Sequence, residues 1–218
     1  MPPIKVKMLE TGPLPVNFEI VGSGLAVGSS RDWKFRRVVR DGSSILWPAE
    51  QPHFATAFLQ PAGEEFVYCY GTVNQSGTQN CYLARVRGSE IERPERWEYL
   101  TSCEGAWSPR VAEAVVLFSG MPSELSVSWN PHLRAYLAVH SFDLTGKIVA
   151  RAAPQPWGPW SEPVTLWTVK KPHPFPYMQL IYAGKEHPEL SGDGGRRIYL
   201  TYIEFEEYFP HLVEVTLR

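Results

Sequence analysis

Apolar and polar positions alternate along this chain in short runs, and the runs come in pairs. Phe66 to Thr72 turns back into Cys81 to Val86, Ala135 to Ser141 into Lys147 to Ala152, and Ile198 to Tyr202 into His211 to Leu217. Each run is rich in β-branched and aromatic residues, too short for a helix, and bounded by a polar turn such as Asp143-Leu144-Thr145-Gly146, which predicts antiparallel hairpins. Two hairpins continue alike: Arg85-Val86 leads to Trp97-Glu98-Tyr99-Leu100, and Arg151-Ala152 leads to the run Trp160 to Leu166. Each continuation predicts an outer strand. Ahead of each hairpin lies a further candidate strand: His53 to Leu59, Glu124 to Trp129, and Tyr177 to Ala183. Units of about four strands, repeated along the chain, are the size of propeller blades.

Before His53, the runs Phe18 to Val27 and Trp33 to Val39 predict part of one more blade. The expected fold is therefore all-β, an incomplete β-propeller with three clear blades and a partial one. It forms a single domain over residues 1–218, of which 1–15 are an N-terminal extension. Closed propellers have roughly four to eight blades, since closure hides the strand edges. A two-sheet sandwich would also show short strands at close spacing. The repeated order of hairpin, Arg, then Trp favours the propeller and gives Arg85 and Arg151 matching structural positions between blades.

Composition narrows the partners. At 218 residues one β domain is accommodated, and 13% aromatics with 20 Pro and 17 Gly suit many strands joined by turns. The 21 basic and 23 acidic residues are interspersed, so no footprint for a phosphate backbone exists and nucleic acid is excluded as a partner. No apolar run reaches the roughly 20 residues of a membrane span. Met1-Pro2-Pro3-Ile4-Lys5 does not read as a signal peptide, so the expected location is cytoplasmic unless a leader was removed. Cys69, Cys81 and Cys103 form no Cys-x-x-Cys pair; Cys69 and Cys81 could face each other across a hairpin, but reduced core thiols are expected. Asn74-Gln75-Ser76 is a glycosylation sequon that matters only in a secreted chain.

No nucleophile elbow, phosphate loop, metalloprotease helix or calcium loop is present, and no spacing demands a metal or cofactor. Carboxylates and aromatics at strand starts remain, where the innermost strands of a propeller line its channel. Glu124 stands at the mouth of a strand; buried beside aromatics, such a carboxyl is raised and can act as a general acid, or it can lock the blade by accepting backbone hydrogen bonds. Glu186 and His187 offer acid–base groups where another inner strand ends, and His53 begins a third. Tyr70, Trp129 and Tyr182 are candidate stacking platforms for a sugar ring. With a small apolar substrate, His140, His187 and Tyr182 would supply the polar handles. Glu204, Glu206 and Glu207 read as a solvated turn, as does Asp193-Gly194-Gly195.

With these segments in hand, the chain resembles the five-bladed propellers of domain of unknown function 4185. The resemblance rests on Phe66-Val67-Tyr68-Cys69-Tyr70-Gly71-Thr72, Cys81-Tyr82-Leu83-Ala84-Arg85-Val86 and Ser123-Glu124-Leu125-Ser126-Val127-Ser128-Trp129-Asn130-Pro131. Pro156-Trp157-Gly158-Pro159-Trp160-Ser161-Glu162-Pro163 and His187-Pro188-Glu189-Leu190 complete it, so that it covers about His53 to Arg218. Some members of that family are endo-D-arabinanases, so the resemblance implies a glycoside hydrolase-like protein acting on an arabinofuranoside or related glycan. Glu124 is the position most like a family site residue, and hydrolysis needs a second carboxylate across the bond. The resemblance puts that partner on an early blade, and members carry further N-terminal blades to which nothing before Val16 is similar. A shortened chain is thus expected. The alternatives are a non-catalytic binding or interaction module and a repurposed small-molecule enzyme. Missing blades would leave open edges, for which a homodimer is the expected cover.

Overall fold

The computed structural model describes residues 4–8, 18–120, 124–143, 145–169, 181–205 and 207–218. The remainder of the predicted extension, Ser123, Leu144, Tyr177 to Leu180 and Glu206 lie outside the described residues. Within them the chain is built of antiparallel strands joined by turns and single 3-10 turns, and no helix is long and apolar enough to cross a membrane.

Four units follow one another. The first joins β1 (Ile4–Met8), β2 (Phe18–Ser23) and β5 (Trp47–Pro48) in one sheet, with β3 (Ala26–Gly28) and β4 (Phe35–Arg37) as a hairpin beside it. The second runs in spatial order through β6 (His53–Leu59), β7 (Phe66–Gln75), β8 (Thr78–Arg87), β9 (Glu98–Ser102) and β10 (Ala106–Ser108), with β11 (Phe118–Ser119) added to β8. The third is β12 (Ser126–Asn130), β13 (Ala135–Phe142), β14 (Lys147–Ala153) and β15 (Val164–Thr168). The fourth is β16 (Ile181–Glu186), β17 (Arg197–Glu204) and β18 (Phe209–Thr216). The inner edge strands β6, β12 and β16 pack on one another in that order, and β2, the middle strand of the first sheet, packs on β6. Three blades and a partial one make a β-propeller, as the strand pattern implies.

The packing also separates this fold from a sandwich. Instead of one core between two sheets, a separate core fills each gap between consecutive units. Trp47, Phe54, Trp97 and Tyr99 fill the first gap, Tyr70, Leu83, Leu100 and Leu125 the second, and Leu137, Ile148, Ile198 and Leu200 the third. Of the two matched arginines, Arg151 bridges the second seam, lying over Phe118 and donating to the carbonyls of Ser119 and Ser161, whereas Arg85 stays within its own unit, 4.2 Å from the centre of the Trp107 ring and paired with Glu98. Cys69, Cys81 and Cys103 are free thiols, and the first two are buried.

Some boundaries differ from the sequence pattern. β7 and β8 run on to a two-residue turn, Ser76-Gly77, where φ is 53° and 83° and the Asn74 side chain accepts the Gly77 N–H. Positive φ at both positions suits the twist of a tight hairpin. β15 begins at Val164 instead of Trp160, because Pro159 and Pro163 offer no N–H to the ladder.

Candidate functional site

Strand register decides which residues share an end of the propeller. His53 pairs with Thr72, Ser126 with Val139 and Ile181 with Glu204, so the starts of the inner strands meet the tips of the hairpins β7–β8, β13–β14 and β17–β18. At that end lies a cleft of about 760 Å³ walled by Asn74, Gln79, Ser119, Phe142, Asp143 and Tyr182. A smaller hollow of about 200 Å³, lined by His53, Thr56 and Thr72, shares Asn74 and Gln79 with it. Gly120 (φ 77°) makes room for the wall, since a Cβ there would stand 2.7 Å from the Phe142 ring. The result is a trough crossing three units, its mainly apolar surface dotted with amide and hydroxyl groups.

Glu124 sits two residues before β12, and its carboxylate accepts the backbone N–H of Ala183. Burial pushes the carboxyl above the usual range, while that N–H and the Lys185 ammonium pull the other way. The N–H is available because β16 bulges: its pairing with β17 skips between Tyr182 and Lys185, and Ala183 takes a φ of 56°. Gly184 meanwhile donates its N–H to the Ser141 hydroxyl at 3.0 Å. Tyr182, on the cleft wall, has its phenol raised by burial, by a hydrogen bond with Tyr208 and by the nearby Glu124 charge. Glu124, Tyr182, Lys185 and Tyr208 therefore form one group.

A second group lies further along the same two strands. Ser126 and Ser128 share the face of β12 opposite Leu125 and Val127, and both reach β16: the Ser126 hydroxyl accepts the Glu186 N–H at 2.8 Å, and the Ser128 hydroxyl donates to the Glu186 carboxyl at 2.7 Å. Burial raises Glu186 while the Ser128 hydrogen bond opposes that shift. Two residues, Gly184 and Lys185, separate it from Ala183, so it lies at most roughly 10 Å further along the strand. His187 turns the other way, its Nε2 on Thr201 Oγ1 at 2.7 Å and its Nδ1 on Glu189 at 3.0 Å.

The other sequence-selected residues are dispersed. His53 lines the smaller hollow, where burial lowers its pKa and its Nδ1 is enclosed without a hydrogen bond. His140 has 0% exposure: it stacks on Phe118, and its Nδ1 lies 2.8 Å from the Ser141 carbonyl. Tyr70 is enclosed in the second core and donates to the Pro156 carbonyl at 2.7 Å. Trp129 is 49% exposed at the far end of β12, edge-on to Tyr136. Asn74, Gln79, Ser119, Asp143, Lys185 and Tyr208 were not selected from the sequence. Placing the hairpin tips at the same end as the inner-strand starts would have pointed to most of them. Among the described residues, Glu204, Glu207 and His211 are the set gathered closely enough to hold a metal ion.

The family profile described as Domain of unknown function (DUF4185) matches residues 26–214. Among solved structures, a provisionally assigned hydrolase from Bacteroides ovatus ATCC 8483 is similar at 17% identity and a TM-score of 0.59, over 94% of this chain and 55% of that one. The α-L-arabinofuranosidase of Podospora anserina, solved with cellotriose, gives 11% identity and a TM-score of 0.43, over 77% of this chain and 53% of that one. An endo-arabinase from Bacteroides thetaiotaomicron VPI-5482 gives 13% and 0.31, over 92% and 82%. No curated protein matches the sequence. The chain spans about half the length of the first two structures. The first likeness supports the fold described above.

Proposed function

The chain belongs to the DUF4185 family, and from that premise we propose that it is a carbohydrate-active protein of the glycoside hydrolase type, with Glu124 as its general acid. The observation that carries this reading is a carboxyl raised by burial, held by the backbone N–H groups of Ala183 and of Glu124 itself and set beside Tyr182 of the cleft. An acid poised in this way gives its proton to the glycosidic oxygen as the bond to the anomeric carbon breaks. Water adds to that carbon, and its proton passes to a second carboxylate. Asp143 is the carboxylate on the cleft wall, whereas Glu186 is deeper and bound to Ser128. Phe142 and Tyr182 offer apolar faces to a sugar ring, with Asn74, Gln79 and Ser119 facing its hydroxyls.

An arabinofuranosyl polymer is the first substrate to test. Hydrolysis of arabinan and of an aryl furanoside is measured for the parent, Glu124→Gln, Asp143→Asn and Glu186→Gln. Glu124→Gln is expected to lose roughly 10²–10⁴-fold on arabinan and less on the aryl substrate, whose leaving group needs little acid assistance. Asp143→Asn is expected to fail on both, and Glu186→Gln to keep most activity. A well-folded parent that binds arabinan without turnover would support a second reading, a glycan-binding module in which Glu124 serves to lock β12 to the Ala183 N–H.

A further inference from the structure

We propose that Glu204, Glu207 and His211 form a binding site for a divalent transition-metal ion, zinc by preference, at the turn between β17 and β18. One ligand atom from each residue lies within 4.8 Å of the others. His211 Nε2 stands 3.7 Å from Glu204 Oε1 and 3.2 Å from Glu207 Oε2. That nitrogen is closed off from solvent yet makes no hydrogen bond of proper geometry. The imidazole nitrogen and two carboxylate oxygens thus converge on a shared point as close ion pairs, with no hydrogen bond to the nitrogen. Ligands bound at about 2.0–2.2 Å in tetrahedral or octahedral geometry stand roughly 3.0–3.6 Å apart, and the two spacings from His211 fall near that range.

The site is held in shape before any ion arrives. The His211 ring stacks on Tyr202 at 4.9 Å with 15° between planes and meets the Phe209 ring edge-on. Glu204, 8% exposed, ends β17, and its carbonyl accepts the Tyr208 N–H at 2.8 Å, closing the turn. One imidazole and two carboxylates suit zinc better than magnesium or calcium, which prefer all-oxygen sets, and three protein ligands leave a position for water. The sequence conceals this arrangement: Glu204 and Glu207 read as a solvated run, and only the pairing of β17 with β18 folds His211 back onto them. The same turn carries Tyr208, which bonds to Tyr182 on the cleft wall, so the ion would fix one side of the cleft. The metal assignment itself does not depend on the hydrolase reading.

The test is calorimetric titration of the chelator-treated full chain with zinc sulfate, beside His211→Ala and Glu207→Gln. The parent is expected to take up one equivalent at micromolar Kd or tighter and to gain thermal stability with zinc. Each variant is expected to bind at least tenfold more weakly and to lose that gain, with circular dichroism unchanged in metal-free buffer. Glu207 lies on the exposed side of the turn, so Glu207→Gln remains informative should His211→Ala disturb the strand. No uptake by the parent, or uptake equal in parent and variants, overturns the assignment.

Discussion

Burial holds the Glu124 carboxyl above the usual range, with the Ala183 N–H and Lys185 in partial opposition. A carboxyl raised in the folded state stabilises the fold only while protonated, and that contribution is lost as pH rises through the folded value. Glu124→Gln is therefore expected to match or exceed the parent in urea resistance at pH 7 while losing turnover, and the parent's activity to decline on the alkaline side as Glu124 ionises. A clearly lower urea midpoint for the variant would assign Glu124 to the scaffold. His140 shows the opposite sign. Burial, aided by the Arg151 charge, lowers it to about 4 against the pull of the Ser141 carbonyl. Its contribution is present above the unfolded value near 6.5 and is lost as pH falls through about 4. His140→Gln, which keeps a donor for Ser141, should flatten the acid limb of stability by on the order of 2 kcal/mol between pH 7 and 4.5, measured by urea unfolding. Glu124 and Tyr182 were legible because a strand start is a channel position in any propeller. The enclosure of His140 and Tyr70 was not: a one-residue change of phase moves a strand side chain from channel to core.

The bulge in β16 links packing to chemistry. A Cβ on Gly184 would stand 2.6 Å from the Ser141 nitrogen, in backbone that cannot give way. Gly184→Ala should lower stability by about 1–3 kcal/mol and, by lifting β16 from β13, withdraw the Ala183 N–H from Glu124. Calorimetric melting and turnover read the two effects separately, and a variant with parental values for both would detach the bulge from the site. The first seam is anchored differently, by Trp47, whose Nε1 donates to the Tyr99 hydroxyl at 2.9 Å and whose ring meets Phe54 and Trp97 edge-on. Trp47→Ala is expected to cost about 3–5 kcal/mol in chemical unfolding. Hairpins such as β13–β14 were plain in the sequence because their strands are long and sharply bounded. β10 and β11, at three and two residues, carry no readable period, and β15 starts late because two prolines delay its ladder.

Seams between units, in place of a central core, leave the outermost strand of the last unit to fend for itself. β18 pairs with β17, and among the described residues no strand pairs its other edge, whereas the second and third units extend to β10 and β15. Phe209 and Leu212 on β18 are 66% and 62% exposed. An apolar, unpaired edge invites another strand, and a second copy of the same chain is the partner always present. Sedimentation at micromolar concentration is expected to show a dimer. Leu212→Lys should shift the equilibrium to monomer without lowering the melting temperature measured in dilute solution, because Leu212 contributes little to the third core. A parent that stays monomeric at about 100 µM, far above the Kd of a specific interface, would sink this expectation. Glu214, on the same strand, would then be the charge that keeps the edge soluble.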